Sequence, residues 1–255
     1  MISEGDYVIF FYGKKKWLTK VEKGKKIHTH IGIINVDNII GKPYGISLET
    51  NKGKIVYALK PTIYDFIMKM DRLTQIVYPK DLGYIVARTG LSSGDKVIEI
   101  GTGSGALTTF LASIVKPTGH VYTYDINEEF VSIARKNITK VGLEEYVTFN
   151  IKDVRDIYDI RDADLIIVDL AEPWTVIDFV KRALKESKMM VSICPTMNQA
   201  ERLSKELKKG FIDIECDEIL VREIEAREGM TRPVFRMVAH TAYLVFARRL
   251  YDDSR

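Results

Sequence analysis

Cysteine is nearly absent: the 255 residues include only Cys194 and Cys216. Two thiols cannot build a disulfide framework or a four-cysteine zinc site. Histidine is scarce as well, with His28, His30, His120 and His240 in three separate segments, so no metal is expected. No window approaches the roughly 18 consecutive apolar residues of a membrane span. The opening Met1–Asp6 lacks the basic and then apolar regions of a secretory leader, and a cytoplasmic protein is expected. Charge of one sign is missing too. The 38 Lys and Arg stand against 35 Asp and Glu, a net charge of +3, which excludes coating of a polyanion by bulk charge. Internal repeats and low-complexity stretches are also lacking.

What is present is enough to build a core. Hydrophobic residues make up 46% of the chain and aromatics 10%, which excludes a disordered protein. The length suits one large domain, or a medium domain with a small one. The charge divides along the chain. Residues 1–60 hold eleven Lys, no Arg and five acids, a local +6, and the remainder carries −3.

Residues 1–60 read as short strands. Asp6–Tyr12, Ile27–Asn35, Gly45–Thr50 and Lys54–Leu59 are separated by Gly24, Gly41–Pro43 and Asn51–Gly53, a pattern of a small β-barrel-like domain. After Pro61 the period changes. Ile63, Phe66, Ile67 and Met70 share one helical face, giving a linker helix over 61–71. The catalytic domain is expected over 72–255. There, strands at Lys96–Ile100, Val121–Tyr124, Val147–Ile151 and Leu165–Val168 alternate with helices at Gly105–Ile114, Glu128–Lys140, Thr175–Ala183 and Gln199–Lys208. Late strands follow at Phe211–Leu220 and Thr241–Ala247. The alternation predicts an α/β fold with a doubly wound, Rossmann-like parallel sheet. The tail Tyr251–Arg255 is expected to fray.

The strongest local signal is Val97–Thr108, in which a strand meets Gly101-Thr-Gly103-Ser-Gly105-Ala106 and a helix begins. Glycines let a ligand approach the backbone, and a helix start offers free N–H donors. Asp125 closes the next strand, 24 residues after Gly101, where a carboxylate can accept ribose hydroxyls. The spacing also satisfies the loose fingerprint of a nicotinamide dinucleotide. Glu99 before the turn and the acids at later strand ends favour the cationic S-adenosylmethionine, because clustered carboxylates repel a pyrophosphate. Asp153 and Asp169 follow later strands, and Asp125, Asp153 and Asp169 are expected to converge beyond the strand ends. Each Asp could instead be a helix cap or turn former. In Asp169-Leu-Ala-Glu-Pro-Trp174, a proline-stiffened turn carries an aromatic that could wall a flat ring.

These residues resemble the class I methyltransferases that make 1-methyladenosine in the T-loop of tRNA, usually at position 58. The resemblance covers nearly the whole chain. Arg72–Asp81 is similar to the family's segment ahead of the glycine loop, Glu99–Thr108 to its cofactor loop, Asp169–Trp174 to its catalytic turn and Arg232–Leu244 to its closing strands. Gly5–Val8 and His28–His30 fit its small N-terminal β domain. The glycine loop is shared by many methyltransferases; Gln75-Ile-Val-Tyr-Pro-Lys-Asp81 and His240-Thr241 are more specific. With no long extra insert, the chain resembles the single-gene homotetrameric branch of archaea and bacteria.

The resemblance implies roles. Glu99, Gly101, Gly103, Gly105 and Ala106 would form the cofactor loop, and Ser104 to Leu107 would line the methionine end with Gln75 nearby. Asp125 would hold the ribose, Asp153 the adenine, and Phe130 would shelve one of them or be plain core. Asp169 would be the catalytic acid group and Tyr78 would help hold the target base. Trp174 is a second candidate stacking surface, and His240 a candidate contact to RNA or to a neighbouring subunit. Lys14, Lys15 and Lys16 are candidate phosphate contacts, with a solvated loop as the bland reading; Arg222, Arg227, Arg232 and Arg236 are a second set. The competing readings are a methyltransferase for another acceptor such as protein isoaspartate, a non-catalytic tRNA-binding subunit and, more distantly, a nicotinamide oxidoreductase.

Overall fold

The computed structural model describes residues 1–251 and divides into two compact units, Met1–Met70 and a second that begins at Asp71. Of the tail expected to fray, only Tyr251 falls within the described residues.

In the first unit, β1 (Tyr7–Tyr12), β2 (Lys15–Lys20), β3 (Lys26–Thr29), β4 (Gly32–Asn35), β5 (Ile46–Glu49) and β6 (Ile55–Leu59) precede helix α1 (Ile63–Lys69). A four-stranded antiparallel sheet has the order β2-β1-β6-β5, and β3 and β4 form a separate hairpin. The strand expected over Ile27–Asn35 is thus folded in two. Gly32 makes that fold possible: its φ is +119°, and an added Cβ would stand 2.6 Å from the Asn51 amide oxygen. Alternation sets the faces of β6. Val56 and Ala58 join Val8, Phe10, Val21, Ile34 and Ile39 in the core, while Ile55 and Tyr57 face outward. The lysine run is not a free loop. Lys15 and Lys16 open β2 and pair with Tyr12 and Phe11 of β1. Lys16 also donates to Asp65 at 2.7 Å. Asp65 completes a capping box with Thr62 at the start of α1. Burial would raise Asp65, but Lys16 and the Thr62 amide and hydroxyl more than offset it, so the carboxyl stays below its usual range.

The second unit contains α2 (Pro79–Thr89), β7 (Lys96–Ile100), α3 (Ala106–Val115), β8 (His120–Asp125), α4 (Glu128–Val141), β9 (Val147–Ile151), β10 (Ala163–Val168), α5 (Ile177–Ala183), β11 (Leu184–Cys194), α6 (Met197–Leu207) and β12 (Phe211–Glu218). Two-residue strands β13 (Ile224–Glu225) and β14 (Arg232–Pro233) and the long β15 (Tyr243–Arg249) follow. Seven strands form one sheet of order β12-β15-β11-β10-β7-β8-β9. β7 to β11 run parallel, and β15 runs antiparallel between β11 and β12. β10, Ala163-Asp-Leu-Ile-Ile-Val168, is buried over its last four residues, as a strand covered on both faces requires. The core joins Ile98, Ile166 and Val168 of the sheet to Phe179, Val180, Leu203 and Leu207 of the helices. Outside the expected set of this unit lie α2, the eleven-residue β11 and the two-residue β13.

Candidate active site

Strand order reverses at β7, whose neighbours are β10 on one side and β8 on the other. In parallel sheets a crevice opens beyond the strand ends at such a point. Here it is a cavity of about 340 Å³ lined by Thr74–Val77, Glu99, the glycine loop with Ala106 and Leu107, Asp125, Phe130, and Asp169–Ala171. Local chemistry dictates its shape. Gly101 has φ +100°, and a Cβ there would lie 2.2 Å from the Asp169 carbonyl oxygen, so only glycine lets the loop pass the end of β10. Gly105, at φ +81°, sits where a Cβ would press on Ala134 of α4 at 2.9 Å.

Asp125 ties the loop to β8. One carboxyl oxygen accepts from the Gly103 amide at 3.1 Å and the other from the Asn127 amide at 2.9 Å. Ser104 turns away from the loop to bond the Leu73 amide at 3.2 Å and the Thr74 hydroxyl at 3.1 Å, anchoring the segment that precedes α2. Buried Asn137 clasps both backbone groups of Asp71 and the Ser104 carbonyl.

Two acids of the cavity, Glu99 and Asp169, are raised above their ordinary values. Glu99 is fully buried. Burial, opposed by hydrogen bonds from Thr108 and Thr123 and reinforced by the charges of Asp169 and Asp125, pushes it up to about 8. Its Oε1 has no donor in bonding geometry. The nearby Thr123 hydroxyl already shares a 2.6 Å hydrogen bond with Thr102. Burial and then the Asp125 charge push Asp169 up to about 6. Among the described residues no Lys or Arg lines this cavity. A pyrophosphate would meet three carboxyl groups and no counter-charge, whereas a ligand carrying a sulfonium and an ammonium group would favour the ionised forms of Glu99 and Asp169 and supply what Glu99 Oε1 lacks. The residues present therefore fit S-adenosylmethionine and not a nicotinamide dinucleotide.

Not every candidate reaches this cavity. Asp153 lines an adjoining space of about 290 Å³ that shares Asp125, Leu170 and Ala171 with it. Both Asp153 oxygens are engaged by Arg155, at 2.5 to 3.0 Å, which holds the carboxyl below its usual range. So two of the three acids expected to converge share one chamber, and the third lies next door, turned to its own neighbour. Tyr78 caps the start of α2, directly after Val77 of the cavity wall. Trp174 is partly buried against the core, and the Arg202 guanidinium lies over its ring, 3.8 Å from the ring centre. His240 spends both ring nitrogens on Glu218 and the Pro195 carbonyl, at 2.7 and 2.8 Å. Lys14 and Lys15 are exposed. Thr74, Ile76, Val77, Leu170 and Ala171 line the cavity without having been singled out in the sequence; their signal was adjacency to Gln75 and Asp169. Among the described residues no group of three or more His, Cys, Asp or Glu could hold a metal, and no helix is long and apolar enough to cross a membrane.

A parallel sheet closed by one reversed strand, with a glycine loop and acids at its switch point, defines a class I methyltransferase fold whose cofactor is S-adenosylmethionine. Comparison with known proteins narrows the class. Residues 54–230 match the family described as the tRNA methyltransferase complex GCD14 subunit, and the chain belongs to that family. It is 38% identical to tRNA (adenine(57)-N(1)/adenine(58)-N(1))-methyltransferase TrmI of Methanocaldococcus jannaschii, over 92% of this chain and 91% of that one. Among solved structures, a SAM-dependent O-methyltransferase of Thermotoga maritima superposes with a TM-score of 0.95 at 39% identity, covering 100% of this chain and 96% of that one. The tRNA (m1A58) methyltransferase TrmI of Aquifex aeolicus follows at 0.88 and 35%, covering 98% and 99%.

Proposed function

We propose that the chain methylates N1 of an adenosine in the tRNA T-loop, at position 58, with the neighbouring position 57 as a second candidate. The observation that carries this reading is the base-free, three-carboxyl cavity in a chain matched over 92% and 98% of its length by relatives of that named activity. S-adenosylmethionine supplies there a methyl group on a positively charged sulfur. The glycine loop, Ala106 and Leu107 hold its methionine end with Gln75; Asp125 holds its ribose beside Phe130, and Asp153 closes the adenine side. Adenine N1 has a free lone pair and needs no deprotonation before attack, so the chain contributes chiefly by positioning. As N1 gains its methyl, positive charge spreads to the 6-amino group of the target. Asp169 accepts a hydrogen bond from that amino group, stabilises the charge, and can take its proton. Tyr78, next to the wall formed by Gln75–Val77, holds the target base once it has swung out of its stack. Lys14 and Lys15 contact phosphates. The enzyme works as a homotetramer in the cytoplasm.

Mass spectrometry of tRNA fragments after incubation with isotopically labelled cofactor tests the reading. Label on a T-loop adenosine supports it. Label in a protein fraction, or on tRNA outside the T-loop, rejects it.

A further inference from the structure

The His240–Thr241 pair, just ahead of β15, sends its side chains to the two segments that wall the cavity. The Thr241 hydroxyl donates to Asp81 Oδ2 at 2.7 Å and accepts from Lys80 Nζ at 2.5 Å. Lys80 also donates to Asp81 Oδ1 at 2.9 Å and to the Ile219 carbonyl at 2.6 Å. Asp81 is fully buried, and its amide and that of Leu82 both bond the Tyr78 carbonyl. Tyr78 in turn follows Gln75–Val77 of the cavity wall. The other end of that segment is held by Ser104 and Asn137, so Thr241 closes the second of two anchors.

His240 serves the other segment. Its Nε2 bonds the Pro195 carbonyl, and its Nδ1 bonds Glu218. Thr196, next in the chain, caps α6 in a capping box with Gln199. The Gln199 amide nitrogen then donates to the Ala171 carbonyl at 2.8 Å. Ala171 stands two residues beyond Asp169 and lines the same cavity. None of His240, Thr241, Lys80, Asp81 or Gln199 lines the cavity itself.

A buried ion pair is a poor way to gain stability, because desolvation offsets most of the attraction. Its value is directional. Apolar contacts would let the 75–78 segment slide, whereas the Lys80–Asp81–Thr241 bonds fix its register. We infer that His240–Thr241 is a positioning pair, with Thr241 holding the Gln75–Tyr78 segment through Asp81 and Lys80 and His240 holding the Asp169–Ala171 turn through Pro195 and Gln199.

The inference rests on the proposed methyl transfer, and its test separates the two. Thr241→Val removes both hydroxyl bonds at nearly constant shape. It is expected to lower kcat about 10- to 100-fold, the scale of a slight misplacement at a reacting centre, with KM for tRNA changed by no more than about twofold. Thr241→Ser restores the hydroxyl and should restore kcat. Unchanged kcat in Thr241→Val, or equal loss in Thr241→Ser, overturns the Thr241 half. Gln199→Met, at a helix start, should also lower kcat with KM for tRNA kept, and unchanged kcat overturns the His240 half; this variant also stands in if Thr241→Val does not fold. If the wild-type protein methylates no tRNA, the functional reading fails. The positioning role is then read from calorimetry with S-adenosylmethionine and from hydrogen exchange over residues 71–78. Thr241→Val must weaken the first and speed the second, and no change in either overturns the inference.

Discussion

The Thr108 hydroxyl donates to Glu99 Oε2 at 2.6 Å in the wall of the cavity, while Glu99 Oε1 has no donor in bonding geometry among the described residues. The fully buried acid holds its proton up to about pH 8, against an ordinary value of 4.5. Folding without cofactor therefore takes up a proton between these limits, so stability falls as pH rises through that window, by at most about 1.4 kcal/mol per pH unit for one group. Glu99→Gln cannot titrate. It is expected to flatten the pH dependence of thermal unfolding between pH 5 and 8 and to melt above the wild type at pH 8. An unchanged slope would show that Glu99 is ionised in the free protein.

Asp169, raised to about 6, is a carboxylate at neutral pH and an acid below pH 6. As the acceptor of the target's amino group it must be ionised. The kcat/KM value is expected to drop on the acid side with a midpoint near pH 6, and kcat with a lower midpoint, because the cationic cofactor favours the carboxylate. Asp169→Ala should fold and keep much of its cofactor affinity while losing kcat by about 10²- to 10³-fold, the scale for removing one group aimed at developing charge. Near-normal turnover in that variant rejects the assignment.

Gly101→Ala is the sharpest steric test of the loop. The new methyl would need φ +100° and would lie 2.2 Å from the Asp169 carbonyl, so either the loop or the Asp169 turn must move. Cofactor binding measured by calorimetry should fall by at least about tenfold, since a misfit of this kind costs more than the roughly 1.4 kcal/mol that a factor of ten represents. Gly90→Ala, at a left-handed helix cap with no neighbour within 4 Å, is the control for backbone strain alone. Equal effects of the two on cofactor binding would remove the steric argument.

The three consecutive lysines Lys14, Lys15 and Lys16 are not equivalent. Reversing Lys14 and Lys15 to Glu should raise KM for tRNA, most strongly at low salt, and leave cofactor affinity alone. Lys16→Glu should in addition lower the unfolding midpoint, because it strands the largely buried Asp65 beside a like charge. An unchanged KM in the Lys14/Lys15 double variant, measured by initial rates across a salt series, favours a merely solvated pair.

The switch-point strand, its glycine loop and the acids after β8 and β10 could be read from residue order, because strand, glycine turn and helix follow one another in β7–α3 and the Asp residues sit at the strand ends. β11 could not. Helix α5 ends at Ala183 and the strand starts at Leu184 with no turn between, so no glycine or proline punctuates the change. Its first half, Lys185–Lys188, is polar, and Ser187 bends the backbone at φ +63° before the buried Met189–Cys194. β2 was hidden by its lysines. Its pairing with β1, Phe10↔Trp17 across the short Gly13-Lys14 connection, makes a hairpin whose second strand has too few apolar residues to show alternation. α2 carries Gly83 in its interior, which weakens a helical pattern. In the site, the sequence singled out Tyr78 and His240 as residues but not the bonds that tie their neighbours Asp81 and Thr241 together across 160 positions.

The placement of β15 orders the birth of the enzyme in time. β11 and β12 do not pair with each other; the final strand, Tyr243–Arg249, slots between them. A nascent chain that has not yet released these residues carries β11 as an unpaired edge and β12 with no place in the sheet, both open to wrong partners. The sheet is completed from the inside, by the strand that is last of the seven in chain order. Truncation ahead of Tyr243 would therefore strip away a strand flanked by neighbours on both sides, and should be as damaging as loss of a whole central element.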